Sequence, residues 1–163
     1  MIKLDYNNIQ WGNYLEDTGN TLRWVNPVSS RVKAGDIVKT ENNKGYLILN
    51  FNNKRYLVHR ILWIIRNGEI PNSLQVDHMN GNKKDNSPDN LRLCTHSQNI
   101  MNQKVRSDNS SGVKGLHYNI SDKLWECYVE SNRKRCRKKF KEKDDAMNWL
   151  KENRLKLHGE FSK

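Results

Sequence analysis

No stretch of the chain limits its fold as tightly as Val76–Asn99, VDHMNGNKKDNSPDNLRLCTHSQN. Asp77-His78 closes a short strand-like run that begins at Gln75. Asn80-Gly81 then turns the chain, and a polar loop containing Pro88 carries it to Asn90. Leu91–Cys94 reads as a second strand, and Thr95 or Ser97 can cap a helix running to about Gln103. The predicted order is strand, loop, strand, helix.

Four side chains around this hairpin suit one chemistry. Cutting a phosphodiester needs a cation on the phosphate and leaving oxygen, and a base to activate water. Asp77 offers a carboxylate oxygen and Asn99 an amide oxygen. Both are hard donors suited to Mg²⁺, which keeps several waters and takes one or two protein ligands. Histidine is the side chain whose ordinary range suits a general base near neutral pH, and His78 stands beside Asp77. Asn90 can hold the loop or orient the histidine ring. A purely structural reading also exists for each residue: turn stabilisation for Asp77 and His78, a loop anchor for Asn90, a helix surface for Asn99. Neighbours on a regular strand point to opposite faces, so Asp77 and His78 share a site only where the strand ends or twists. The turn at Met79-Asn80-Gly81 follows at once. Cys94 and His96 are two soft donors, too few for a zinc site.

The flanking sequence adds more elements. Residues 1–36 read as irregular, with a short strand at Leu22–Val25. Tyr46–Phe51 and Arg55–Val58 form a hairpin around Asn52-Asn53. HRILWIIRNG follows as a helix with Ile61, Leu62, Ile64 and Ile65 at helical spacing and Gly68 as its stop. His59 is read as packing at the strand–helix junction. Only 35% of the residues are hydrophobic, so the core must lean on five Trp, six Tyr and three Phe.

These residues carry a resemblance. Over about residues 37–103 the chain resembles the HNH endonucleases, the ββα-metal nucleases, in their phage-type homing branch. The carrying segments are GYLILNFNNKRYLVHRILW, VDHMNGNKKDN and PDNLRLCTHSQN with Asn102. The resemblance implies metal-dependent DNA cleavage, with Asp77 and Asn99 as metal ligands, His78 as general base and Asn90 as the loop asparagine. Many family members have His where this chain has Asn99, a change that favours Mg²⁺, with Mn²⁺ as a substitute, over zinc. His96 is a second helix candidate for the metal.

Past a linker-like segment, 104–112, lie three strand candidates, VKGLHYN, LWECYVES and KRCRKKF, and a helix, DDAMNWLKENRLKLHG. The net charge is +11, and the last 63 residues carry +7 of it. An excess of this size points to a polyanion. By alternation Trp125, Cys127 and Val129 face the helix, and Glu126, Tyr128 and Glu130 face outward. The segment resembles the AP2 DNA-binding domain through SGVKGLHYN, KLWECYV, Phe140, DDAMNWL and HGEF. That resemblance implies double-stranded DNA on the open face of the sheet. The expected contacts are Lys114, His117, Asn119, Tyr128, Arg133, Lys134, Arg135, Arg137 and Lys138, with Lys139 beside them.

The expected fold class is therefore α+β: an HNH ββα-metal core preceded by a β-hairpin and helix, and followed by a three-stranded antiparallel sheet plus helix. The expected divisions are 1–36, a nuclease domain at 37–103, a linker at 104–112 and an AP2-like domain at 113–163. The alternative is a non-catalytic DNA-binding protein on an inactive HNH fold. A membrane span and a signal core are not expected, because no apolar run is long enough. Three cysteines without CxxC spacing fit reduced thiols in a cytoplasm, the host's if the gene belongs to a phage. No protein partner is expected, and a monomer rather than an oligomer.

Overall fold

The structure is a computed structural model describing residues 5–103, 105, 108–131 and 134–158. It is α+β, and it divides into two compact units, Met1–Thr95 and His96–Lys163.

The first unit contains three two-stranded antiparallel hairpins and one helix. β1 (Leu15–Asp17) pairs with β2 (Leu22–Trp24), and β3 (Ile48–Phe51) with β4 (Lys54–Leu57). Asn52 and Asn53 make the β3–β4 turn at φ 47° and 59°, the left-handed pair that a two-residue hairpin needs and that Asn tolerates. α1 (Val58–Asn67) follows at once and ends at Gly68, whose φ is 84° and whose N–H reaches the Ile64 carbonyl at 3.0 Å. β5 (Gln75–His78) pairs with β6 (Leu91–Cys94) over the predicted residues.

The N-terminal segment is more ordered than expected. Leu22–Trp24 is a strand as predicted, but β1 and a 3-10 turn at Trp11–Asn13 precede it. Tyr6, Trp11, Leu15, Leu22 and Trp24 join Phe51, Tyr56, Ile61 and Leu62 in one core. Trp11 is the hub, with Phe51 and Tyr56 packed edge-on at 5.2 and 5.0 Å, and its indole N–H donates to the Tyr6 carbonyl at 2.9 Å. Strands of three residues show almost no periodicity in sequence. The aromatic side chains were the better guide, because each buries a large apolar area.

In the second unit α2 (His96–Asn102) is followed by a three-stranded antiparallel sheet ordered β7 (Leu116–Asn119), β8 (Leu124–Ser131), β9 (Lys134–Phe140), and then by α3 (Lys143–His158). Leu116, Cys127, Val129, Ala146 and Leu150 form the core between sheet and α3, with Trp125, Phe140 and Trp149 at its rim. Trp125, Cys127 and Val129 thus lie on the helix side, as alternation requires. β7 starts three residues later than the apolar run at Val113. Gly115 interrupts it at φ 67°, where an added Cβ would lie 2.5 Å from the Tyr128 carbonyl oxygen. Asp144 and Asp145 open α3, where the helix dipole favours them. Of the segment expected as a linker, 104, 106 and 107 are outside the described residues, as is most of the closing HGEF.

Candidate active site and the basic sheet

β5 ends on His78, and the pairing sets Asp77 opposite Arg92 and His78 opposite Leu91. Both Asp77 and His78 are buried. The Asp77 carboxylate accepts from Nε and Nη2 of Arg92 at 3.3 Å, longer than charge-assisted pairs usually are. The His78 ring lies 4.9 Å from His59, edge to face, and 6.0 Å from Tyr46. Burial raises the Tyr46 phenol pKa, and the Asp77 charge adds to the shift. Tyr46 thus lies beside the His78 ring and within reach of the Asp77 charge. His59 packs at the junction of β4 and α1, as expected, and burial lowers its pKa to about 3, with His78 and Arg60 contributing. It remains neutral across the physiological range.

The loop between β5 and β6 is held by asparagine side chains. Asn90 Oδ1 accepts from the Asn80 N–H at 2.9 Å, and Asn90 Nδ2 donates to the Asp85 carbonyl at 2.6 Å. The Asn90 carbonyl receives the Met79 N–H at 2.8 Å. Of the two roles open to Asn90, the structure shows loop holding. Asp85 bonds Ser87 and Asn80, and those bonds lower its pKa. The ring partner of His78 is a different residue. Its Nε2 lies 2.9 Å from Oδ1 of Asn86, which is almost fully buried.

No local sequence pattern marks Asn86. Its N–H donates to Asn20 Oδ1 and its Nδ2 to the Asn20 carbonyl at 3.0 Å, across 66 positions of chain. Its own carbonyl accepts from Arg66 Nη1 at 2.7 Å. Arg66 also grips Asp17 at 2.6 and 2.8 Å and the Gly19 carbonyl at 2.6 Å. The Arg66 bonds hold the Asp17 carboxyl below its usual range.

Asp77, His78 and Asn90 thus all lie on the β5–β6 hairpin of the first unit. Asn99 is the fourth residue of α2, which belongs to the second unit; it is half-buried, while His96 is exposed. The donor types at these positions fit a hard divalent cation, being a buried carboxylate and an amide oxygen. Soft chemistry is disfavoured at Cys94, whose thiol is pushed up to about 11, chiefly by burial and then by Asp77. Among the described residues no group of three or more His, Cys, Asp and Glu gathers as a metal site. A hydrated Mg²⁺ needs none.

The sheet register sorts the residues expected to meet DNA into rows. His117, Glu126 and Lys139 stand in one cross-strand row, Tyr128 and Arg137 in the next, Glu130 and Arg135 in the third. Glu126 receives Lys139 at 2.9 Å, Asn119 at 2.9 Å and His117 at 3.2 Å, and the first two hold its carboxyl down to about 2. Arg135 pairs with Glu130 at 2.7 Å and lies over the Tyr128 ring at 4.5 Å. The two outward-facing acids, Glu126 and Glu130, are thus paired with basic neighbours.

Two residues of the expected set, Lys114 and Lys138, are placed apart from the others. The Lys114 ammonium donates to the Ile100, Met101 and Gln103 carbonyls at 2.6, 3.0 and 3.1 Å, closing the C-terminal end of α2. Burial, and then Arg154, lowers its pKa. Lys138 pairs opposite Cys127 and so belongs to the helix side of the sheet, with its ammonium 5.1 Å from the Phe140 ring. Lys139 takes its place on the open face. Arg133 and the side chain of Lys134 lie outside the described residues.

A family profile described as HNH endonuclease matches residues 56–101. Protein 3.8 of Escherichia phage T7 is 31% identical over 105 residues, which cover 64% of this chain and 87% of that protein. The chain belongs to the HNH endonuclease family. An uncharacterized HNH endonuclease, L560 of Acanthamoeba polyphaga mimivirus, is 41% identical over 63 residues, which cover 38% of this chain and a third of that relative. A solved structure of the HNH homing endonuclease I-HmuI, described for its DNA binding and cleavage, aligns over 89% of this chain and 84% of its own at 23% identity and a TM-score of 0.44, too low to bear on the fold. The HNH segment holds α1, β5, β6 and most of α2, and with them Asp77, His78, Asn86, Asn90 and Asn99. The sheet of β7, β8 and β9 lies outside it. Among the described residues no helix is long and apolar enough to cross a membrane.

Proposed function

We propose that the chain is a metal-dependent DNA endonuclease that resembles the free-standing phage HNH homing endonucleases. His78 is its general base, and Asp77 and Asn99 are the protein ligands of Mg²⁺, which Mn²⁺ can replace. The observation that carries this reading is the buried Asp77-His78 pair at the end of β5, with the following loop pinned by Asn90, inside the HNH segment. When bound, the divalent ion supplies positive charge to the scissile phosphate and the leaving 3′ oxygen. His78 takes the proton of the attacking water. Asn90 holds the loop that follows β5. Its own burial keeps His59, beside His78, neutral.

The open face of β7–β9 is the DNA-binding surface in this reading, as the AP2 resemblance implies. His117, Asn119, Tyr128, Arg135 and Arg137 are its contacts, with Lys139 in place of Lys138. The ion pairs on this face can exchange acidic partners for phosphates. With one such site per chain, a monomer nicks one strand.

A supercoiled-plasmid assay tests the reading. Open-circular product is expected with Mg²⁺, and none with EDTA. His78→Ala is expected to slow nicking by about 10²–10⁴-fold. Folded protein that binds duplex DNA yet leaves it intact in Mg²⁺ and in Mn²⁺ would establish the non-catalytic DNA-binding reading instead.

A further inference from the structure

The bonds of Asn86 fix its amide orientation. Nδ2 faces the Asn20 carbonyl at 3.0 Å, and a carbonyl only accepts, so the amide nitrogen belongs on that side. Oδ1 is then the atom facing His78 Nε2 at 2.9 Å. An amide oxygen also only accepts, so Nε2 must carry hydrogen. A neutral imidazole has one N–H, which leaves the lone pair on Nδ1. The amide cannot rotate without breaking its bond to Asn20, and the backbone around it is tied on both sides, by Asn20 Oδ1 and by Arg66. Arg66 is itself fixed on Asp17 and Gly19, on β1 and the β1–β2 turn. The Asn90 side chain meanwhile bonds the Asn80 N–H and the Asp85 carbonyl.

We propose that Asn86 is the positioning residue of His78: it holds the ring in the Nε2–H tautomer, so that Nδ1 takes the proton from water. Through Asn20 and Arg66 the β1–β2 hairpin becomes part of the active-site scaffold. This rests on the reading of His78 as the base. In the step, the water oxygen bonds phosphorus as the bond from phosphorus to the 3′ oxygen breaks. The water proton goes to Nδ1, and the 3′ oxygen takes a proton from solvent.

The tautomer is directly measurable in the intact chain. Long-range ¹H–¹⁵N correlation spectra at about pH 8, above the ordinary histidine range, are expected to show His78 as Nε2–H without metal or DNA. A predominant Nδ1–H form in the wild type would overturn the proposal with no variant needed. Asn86→Leu removes the acceptor; the tautomer preference is expected to vanish, and plasmid nicking in Mg²⁺ to slow by about tenfold to a hundredfold with plasmid affinity in EDTA unchanged. Asn86→Asp keeps an oxygen facing Nε2 and is expected to keep hydrogen on Nε2, while its second oxygen loses the bond to the Asn20 carbonyl. Wild-type nicking by a folded Asn86→Leu protein would refute the assignment; if that variant does not fold, the wild-type tautomer and Asn86→Asp decide it. His78→Ala that nicks normally removes the base reading, while the tautomer result stands on its own.

Discussion

The two units place their polar groups in opposite ways. In the first, His59, Asp77, His78, Asn86 and Asn90 are buried, and Asn86, Asn90 and the half-buried Arg66 each bond particular backbone atoms. In the second, the charged residues of the sheet stand on an exposed face and chiefly bond one another. A buried polar group that loses its partner bears the full cost of desolvation, whereas an exposed ion pair exchanges its partner for water. The first arrangement holds a geometry. The second leaves charge ready to be redistributed onto a ligand.

Arg66→Ala should break that contrast most severely. It leaves Asp17 and the Gly19 and Asn86 carbonyls without their guanidinium, so urea unfolding of the first unit should lose roughly 3–5 kcal/mol. Acid should come next. His59 titrates near 3 when folded and near 6.5 as an ordinary histidine, so the unfolded chain binds the extra proton between those values. The stability contributed is complete above pH 6.5 and is lost as pH falls toward 3. The slope reaches about 1.4 kcal/mol per pH unit, and His59→Asn should flatten it in urea midpoints measured across that window.

On the sheet, Arg137→Ala should weaken duplex DNA binding and lower the salt slope by about one phosphate contact, while Lys138→Ala, on the helix side, should leave the slope unchanged in a titration from low to high salt. Equal effects would mean that the register does not decide which cations meet DNA. The smallest effect is expected for Lys139→Ala. Its partners Asp122 and Glu126 are part-exposed, so the urea midpoint should not move at neutral pH. A clear loss there would erase the distinction between the two units.

Much of the architecture was legible along the chain. The bounds of β5 and β6, the helix stop at Gly68 and the helix-facing row Trp125, Cys127 and Val129 all follow from alternation, helical spacing and turn residues within a few positions of each other. The place of Asp77 and His78 at the end of β5 was legible for the same reason. The role of Asn86 was not, nor the inward use of Lys114, nor the share of Tyr6, Trp11 and Trp24 in the core. Each depends on partners brought close by folding: Asn20 for Asn86, the α2 carbonyls for Lys114, Phe51 and Tyr56 for Trp11. The sequence by itself determined which side chains can offer a hard oxygen donor or take up a proton, because those properties belong to the side chains. Only the tertiary structure decided that Asn86 stands against Nε2 of His78, because Asn86 is held there by Asn20 and Arg66, residues far from it in sequence.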